Sequence, residues 1–183
     1  MRVITGSARG KRLEAPKGMN TRPTPERVKE ALFSAIQFDI EGRRILDLFA
    51  GSGQLGIEAL SRGAESAVFV DSDAEACGII KNNLNTAGFS QKAKIFNCGF
   101  DDFFVKNSDT FDIAFLDPPY SAGFWADALK RLNGCMSSYG IIICEHPSDM
   151  QLPDSVRQLR AQKSYKYGKV MITMFRMEGG QDE

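Results

Sequence analysis

Arg44-Ile45-Leu46-Asp47-Leu48-Phe49-Ala50-Gly51-Ser52-Gly53-Gln54-Leu55-Gly56 decides the fold. Arg44–Phe49 reads as a short apolar strand with one acid in it. Gly51, Gly53 and Gly56 follow in G-x-G-x-x-G spacing, a glycine-rich turn opening a helix through Leu60. A second apolar run, Ser66–Val70, closes on Asp71, 20 residues past Gly51. Strand, glycine turn, helix, strand and terminal acid form one unit of an α/β sheet.

Outward from this unit, strands and helices keep alternating. Residues 73–87 read as helix, with Ala76, Ile79, Ile80, Leu84 and Ala87 on one side. Lys94–Asn97 predicts a third strand and Asp101–Val105 a brief helix. Phe111–Leu116 predicts a fourth strand ending at Asp117-Pro118-Pro119-Tyr120. A helix at about 123–133 and a strand at Ile141–Cys144 follow, with His146 just past it. Residues 156–176 read as two strands around Lys166-Tyr167-Gly168. Upstream, Val3-Ile4 and Leu13 suit a small hairpin. Thr24 and Pro25 suit the cap and first turn of a helix ending near Phe38. Its apolar stripe would be Val28, Ala31, Leu32, Ala35 and Ile36, with Arg27 and Lys29 on the other face. The expected organisation is an N-terminal extension over 1–42 (basic hairpin plus helix), an α/β domain over 43–176 and a disordered tail over 177–183. A mostly parallel sheet of this kind binds ligands beyond the carboxyl ends of its strands.

Composition narrows the class. The 183 residues fit one domain, and 43% hydrophobic with 25% charged residues is ordinary for a globular chain. Neither disorder nor a disulfide scaffold fits. No apolar run approaches the ~20 residues of a membrane span, and the N-terminus lacks a signal-peptide core. A cytoplasmic protein is the expectation. Cys77, Cys98, Cys135 and Cys144 include no C-x-x-C pair, and His146 is the single histidine, so no metal site is expected and the cysteines read as reduced. The zero net charge conceals a pattern: residues 1–44 carry +5, residues 45–155 carry −8 and residues 156–183 carry +3. Basic ends on an acidic body suit a polyanionic partner, though solvated surface gives the same pattern.

Two cofactors use a glycine turn with an acid after the second strand: a dinucleotide such as NAD, and S-adenosylmethionine. Asp47 favours the second. A carboxylate at the end of the first strand can meet the cationic methionine end, whereas beside a pyrophosphate it would be repelled. Phe49, Ala50, Gly51, Ser52, Gly53, Leu55 and Gly56 line the expected pocket, with Asp71 and Ser72 toward the ribose. Gly99 and Phe100, after the third strand, lie toward the adenine.

Asp117-Pro118-Pro119-Tyr120 arrives at the same sheet edge, and each residue has a chemical reason. The exocyclic amine of a base is a poor nucleophile because its lone pair is delocalised into the ring. Asp117 and the Pro118 carbonyl can accept its N–H groups, drawing the nitrogen toward tetrahedral geometry. The prolines, Pro118 and Pro119, stiffen the turn, and Tyr120 offers a face to an unstacked base. Most of the rate would come from alignment with an activated methyl donor, with no metal required.

The chain resembles the bacterial small-subunit rRNA guanine-N2 methyltransferases, the RsmD family. The resemblance rests on Asp47-Leu-Phe-Ala-Gly-Ser-Gly with Leu55-Gly56, on Glu58-Ala-Leu-Ser-Arg-Gly-Ala64 and on Asp117-Pro-Pro-Tyr120. The distinguishing piece is Arg22-Pro-Thr24-Pro-Glu-Arg-Val-Lys-Glu-Ala-Leu-Phe33, and Gly6, Arg9-Gly10 and Tyr167-Gly168 add to it. The resemblance implies a Rossmann-like class I methyltransferase fold: a mostly parallel seven-stranded sheet, helices on both faces and a small N-terminal extension. It implies transfer of a methyl from S-adenosylmethionine to the N2 of one guanine of 16S rRNA (guanine 966 in rRNA numbering), in the small subunit or its assembly intermediate. It makes Arg22 and Thr24 candidates for substrate or cofactor contact, although Thr24 serves equally as a helix cap. Many relatives carry an Asp where this chain has Gly99.

RNA contacts would fall to Arg9, Lys11, Arg12 and Lys17 in the arm and to Lys163, Lys166 and Lys169 near the C-terminus, mostly on phosphates. Three other readings compete: a DNA adenine-N6 or cytosine-N4 methyltransferase, a NAD-dependent oxidoreductase, and a catalytically silent RNA-binding module. A monomer is the default.

Overall fold

The computed structural model describes residues 1–16, 26–118 and 124–178. Five helices are described: α1 (Glu26–Ala35), α2 (Gln54–Ser61), α3 (Ala74–Ala87), α4 (Phe100–Lys106) and α5 (Phe124–Asn133). The strands are β1 (Arg44–Leu48), β2 (Ser66–Asp71), β3 (Ala93–Asn97), β4 (Phe111–Leu116), β5 (Met136–Pro147), β6 (Ser155–Val156), β7 (Leu159–Tyr167) and β8 (Val170–Met177).

All eight strands form one sheet in the order β3-β2-β1-β4-β5-β8-β7-β6. β3, β2, β1, β4 and β5 pair in parallel, and β8 enters antiparallel to β5 and β7. Seven principal strands match the expected Rossmann-like sheet. The eighth, β6, is a two-residue edge strand paired with β7, which the expected count did not include. Chain order reverses between β1 and β4, the switch point where such sheets hold ligands.

Both sheet faces are covered, as continuous apolar strands require. On one face Ile45, Phe69, Ile113, Phe115, Ile141 and Ile143 pack with Leu32 and Phe33 of α1, with Ile36 just after it, and with Leu55 and Leu60 of α2. On the other, Leu46, Leu48, Ala114, Leu116 and Ile142 pack with Trp125, Leu129 and Leu132 of α5 and Phe103 of α4. The N-terminal hairpin forms through an Arg2–Arg12 bridge, with Val3 N donating to Lys11 O at 3.0 Å and Leu13 N to Met1 O at 3.0 Å.

Four expectations need correcting. Lys29 is 1% exposed, so the buried stripe of α1 runs through Val28, Lys29, Leu32 and Phe33 and continues to Ile36 beyond its end, while Ala35 faces solvent. α1 ends at Ala35, and residues 36–39 form a turn closed by Asp39 N on Ile36 O at 2.8 Å. β5 is twelve residues long and contains His146, which is therefore a strand residue rather than a loop residue past the strand. Met177 belongs to β8, and Glu178 N donates to Gln158 O at 2.8 Å, so the sheet extends into the segment expected to be tail. Residues 179–183 lie outside the described residues.

Candidate active site

Register places the acids. Asp47 is level with Phe69 on β2 and Phe115 on β4, and Phe115 is level with Ile143 on β5. Side chains alternate along a strand, so residues two further on share that face one pleat nearer the carboxyl edge. Those residues are Asp71, Asp117 and Glu145. Asp71 is in turn level with Asn97. One row of polar groups, Asn97–Asp71–Asp117–Glu145, thus crosses the carboxyl rim above Asp47, with the switch point in its middle.

The glycine turn is built around two of these acids. Asp47, 3% exposed, accepts the Gly56 amide on Oδ2 at 2.9 Å. Asp71 accepts the Gly51 amide on Oδ2 at 2.7 Å and the Asp73 amide on Oδ1 at 2.9 Å. Backbone at Phe49, Gly51 and Gly53 takes φ of 67°, 56° and 73°. Glycine reaches that region without strain, whereas Phe49 holds it at a cost, a feature that concentrates at functional sites. The three glycines differ in their surroundings. A Cβ on Gly56 would meet the Phe69 ring at 2.4 Å, so this glycine lets α2 close onto β2. A Cβ on Gly51 meets nothing within 4 Å. Ala50, Ser52 and Leu55 are buried beside them, while Ser72 is exposed.

Electrostatically this rim is a concentration of acidic side chains whose burial favours their neutral forms. Burial, opposed by the Gly56 amide and supported by Asp71, pushes the Asp47 carboxyl up to about 7. Asp117 is raised well above the carboxylate range by burial, then by the charges of Glu145 and Asp47. Acceptors of this kind beside open glycine backbone suit a ligand with a cationic end and ribose hydroxyls.

Aromatic rings close the site on the α4–α5 side. Phe49 lies 5.6 Å from Phe100 and 6.2 Å from Phe124 between centroids, and Phe100 lies 5.5 Å from Phe124. Arg131 covers the Phe100 ring at 5.9 Å. Gly99 precedes Phe100 as the N-cap of α4, in extended backbone.

Of the residues expected in the site, Asp47, Phe49, Ala50, Gly51, Ser52, Gly53, Leu55, Gly56, Asp71, Asp117 and Pro118 converge on the switch point. Pro119 and Tyr120 lie outside the described residues, as do Lys17, Arg22 and Thr24. Arg9, Lys11, Arg12, Lys163, Lys166 and Lys169 are all exposed. His146 is buried on the opposite face of β5 from Glu145. Its Nε2 is 2.9 Å from Thr173 Oγ1 and its Nδ1 3.0 Å from Pro147 O, and burial lowers its pKa.

Three further buried polar side chains, in and around the site, had been assigned no role from sequence. Glu58 on α2 accepts Ile4 N at 2.8 Å, Thr5 N at 3.0 Å and Arg62 Nε at 2.9 Å, and it pairs with Lys29 at 3.3 Å. Asn83 on α3 accepts Glu14 N at 2.7 Å and donates to Ser52 O at 2.9 Å, joining the extension to the glycine turn. Glu145 is the third. A charged residue inside Leu55-Gly-Ile-Glu-Ala-Leu60, or directly after Ile141-Ile-Ile-Cys144, was the available signal. Among the described residues no group of three or more His, Cys, Asp or Glu is arranged to hold a metal ion, and no helix is long and apolar enough to cross a membrane.

Residues 1–176 match the family model described as "Conserved hypothetical protein 95". A Bacillus subtilis protein named "Putative rRNA methyltransferase YlbH" is 38% identical over 188 residues, covering 98% of this chain and 100% of that one. The "Ribosomal RNA small subunit methyltransferase D" of Haemophilus influenzae is 36% identical over 157 residues, covering 83% of this chain and 81% of that one. A solved structure described as "Putative methyltransferase yhhF from Escherichia coli" superposes with a TM-score of 0.88 at 30% identity over 98% of both chains.

Proposed function

The chain belongs to the family of the ribosomal RNA small subunit methyltransferases D, and from that premise we propose that it transfers a methyl group from S-adenosylmethionine to the exocyclic N2 of a guanine in small-subunit rRNA. The observation that carries this reading is the convergence of Asp117-Pro118 with Asp47 and the glycine turn at the switch point between β1 and β4. Methyltransferase relatives of matching length support the reaction, and their rRNA substrates support the class of acceptor.

S-adenosylmethionine supplies a methyl group on a positively charged sulfur, ready for in-line displacement. The residues present suit it: Asp47 and Asp117 offer negative charge to its cationic end, Asp71 has further lone pairs for ribose hydroxyls, and Gly51 leaves its backbone approachable. A cation here also draws the raised carboxyls back toward their ionised forms. Ionised Asp117 and the Pro118 carbonyl each accept one N–H of the guanine amine, which frees the nitrogen lone pair for attack. After transfer the nitrogen carries an extra proton, which Asp117 is placed to take and pass to water. Tyr120 follows in sequence as the surface for the extruded base. Exposed Arg9, Lys11, Arg12 and Lys166 are the candidates for phosphate contact.

The test is labelled methyl transfer to small subunits, naked small-subunit rRNA and duplex DNA, each from cells lacking the protein, with Asp117→Ala as control. Label in rRNA that disappears in the control is the expected outcome. Label in DNA alone overturns the substrate, and no label on any acceptor overturns the activity.

A further inference from the structure

Tyr167-Gly168 has no part in the reaction as derived, yet register carries it to the active-site edge of the sheet. The row that holds Asp117 and Glu145 continues through Ile172 on β8 to Tyr165 on β7. Tyr165 therefore stands about 14 Å from Asp117, three strand spacings along one row. Pro147, Val170 and Tyr167 form the next row, one pleat nearer the carboxyl rim. Both tyrosines are half-buried and pack on the same core cluster as Phe115 and Ile143, so they share the sheet face of Asp117. Gly168 takes φ of 64°, which lets two residues turn β7 into β8. Lys169 O accepts Ser148 N at 2.9 Å, tying this turn to the chain that leaves β5.

The surroundings of the two rings select a polyanion. Residues 156–177 carry six cations and no acid. Arg160 and Arg176 are engaged by Glu178 and Asp39, whereas among the described residues no acid pairs with Lys163, Lys166 or Lys169. All three lysines are exposed, and Lys163 alternates onto the face of Tyr165 and Tyr167. Lysines hold phosphates without reading sequence, and aromatic rings beside them offer a surface to any base. Strand-borne aromatic rings are one way in which sheets take up unstacked bases of single-stranded RNA. Chemistry on a base requires it to leave its stack, and the neighbour it leaves behind then lacks a partner.

Resting on the rRNA reading above, we propose that Tyr165 and Tyr167 form a stacking platform that holds an unpaired nucleotide flanking the target while the target base occupies the site at Asp117. The platform takes the place of the stacking partner that the flanking base loses.

The test uses small subunits reconstituted from ligated rRNA in which one nucleotide near the target at a time lacks its base. Wild-type kcat/KM should fall about tenfold at one such position, the loss of one base–ring stack. Tyr165→Leu with Tyr167→Leu should lose as much on intact rRNA and nothing more on that abasic rRNA, because ring and base act as a pair. The loss should fall on KM for rRNA, with affinity for S-adenosylmethionine unchanged. Tyr165→Phe with Tyr167→Phe should keep the wild-type rate, since stacking needs the ring and not the hydroxyl. Wild-type indifference to every abasic site, which requires no variant to fold, overturns the proposal, as do losses that multiply when the leucine variant meets the abasic rRNA. In either case label on intact rRNA leaves the rRNA reading standing. If the wild type labels no rRNA at all, that reading falls and takes this proposal with it.

Discussion

Asp47 Oδ2 accepts the amide of Gly56 at 2.9 Å, so the acid one residue before the end of β1 also fixes the third glycine of the turn that follows. Burial raises this carboxyl from 3.8 to about 7. Its stability contribution is therefore full below about pH 4 and is lost as the pH rises through about 7. Asp47→Asn keeps an acceptor for Gly56 and removes the charge. In thermal melts the ligand-free variant should exceed wild type by several °C at pH 8, with the gap closing by pH 5. Calorimetric titration with S-adenosylmethionine should show the reverse. Wild-type affinity should weaken by about tenfold per unit below pH 7 for this carboxyl alone, and the variant should bind at least tenfold more weakly with a shallower slope, the one Asp117 leaves.

Gly51 and Gly56 should separate binding from folding. Gly56→Ala drives a methyl into the Phe69 ring, at 2.4 Å from Cε1 before relaxation, and should cost about 1–3 kcal/mol of stability. Gly51→Ala strains a φ of 56° but meets open space. It should lower stability by only about 1 kcal/mol while weakening cofactor binding by more than tenfold. Chemical denaturation, followed through the fluorescence of the single tryptophan, Trp125, gives the first quantity and cofactor titration the second.

Glu58 joins the N-terminal extension to α2. Burial lowers the pKa of Lys29, opposed by its Glu58 partner. Removing the carboxylate leaves Lys29 buried beside the Arg2 carbonyl at 2.8 Å with its charge unbalanced. Glu58→Ala should lose about 3–5 kcal/mol, and Glu58→Ala with Lys29→Met should recover much of it. Limited proteolysis should cut the Glu58→Ala extension first.

His146 lies on the face of β5 away from Asp117, enclosed by Thr173 and Pro147. His146→Gln should therefore lower the melting temperature yet keep kcat within tenfold at a temperature where it remains folded. A loss above a hundredfold with unchanged folding would give the imidazole a chemical role.

The elements around the decisive stretch were legible because apolar strands, glycine spacing and terminal acids are local signals. β1, β2 and β4 match their expected bounds to within one residue. What escaped depends on partners distant in sequence. A helical wheel sends Lys29 to solvent, and its burial is explained by Glu58, 29 positions away, together with the Arg2 carbonyl. β5 begins at Met136 because Phe111 pairs there, although Ser137-Ser138-Tyr139-Gly140 has no apolar run to announce a strand. Asp47 and Asp117 stood out within motifs, whereas Glu145 acquires meaning only when β4 and β5 lie side by side.

The most direct test is nucleoside mass spectrometry of small-subunit rRNA from cells with and without this protein. The account predicts that N2-methylguanosine falls by one residue per subunit in cells lacking it and returns when wild-type protein, but not Asp117→Ala, is restored. Unchanged N2-methylguanosine, or loss of a methylated adenosine or cytidine in its place, would contradict it.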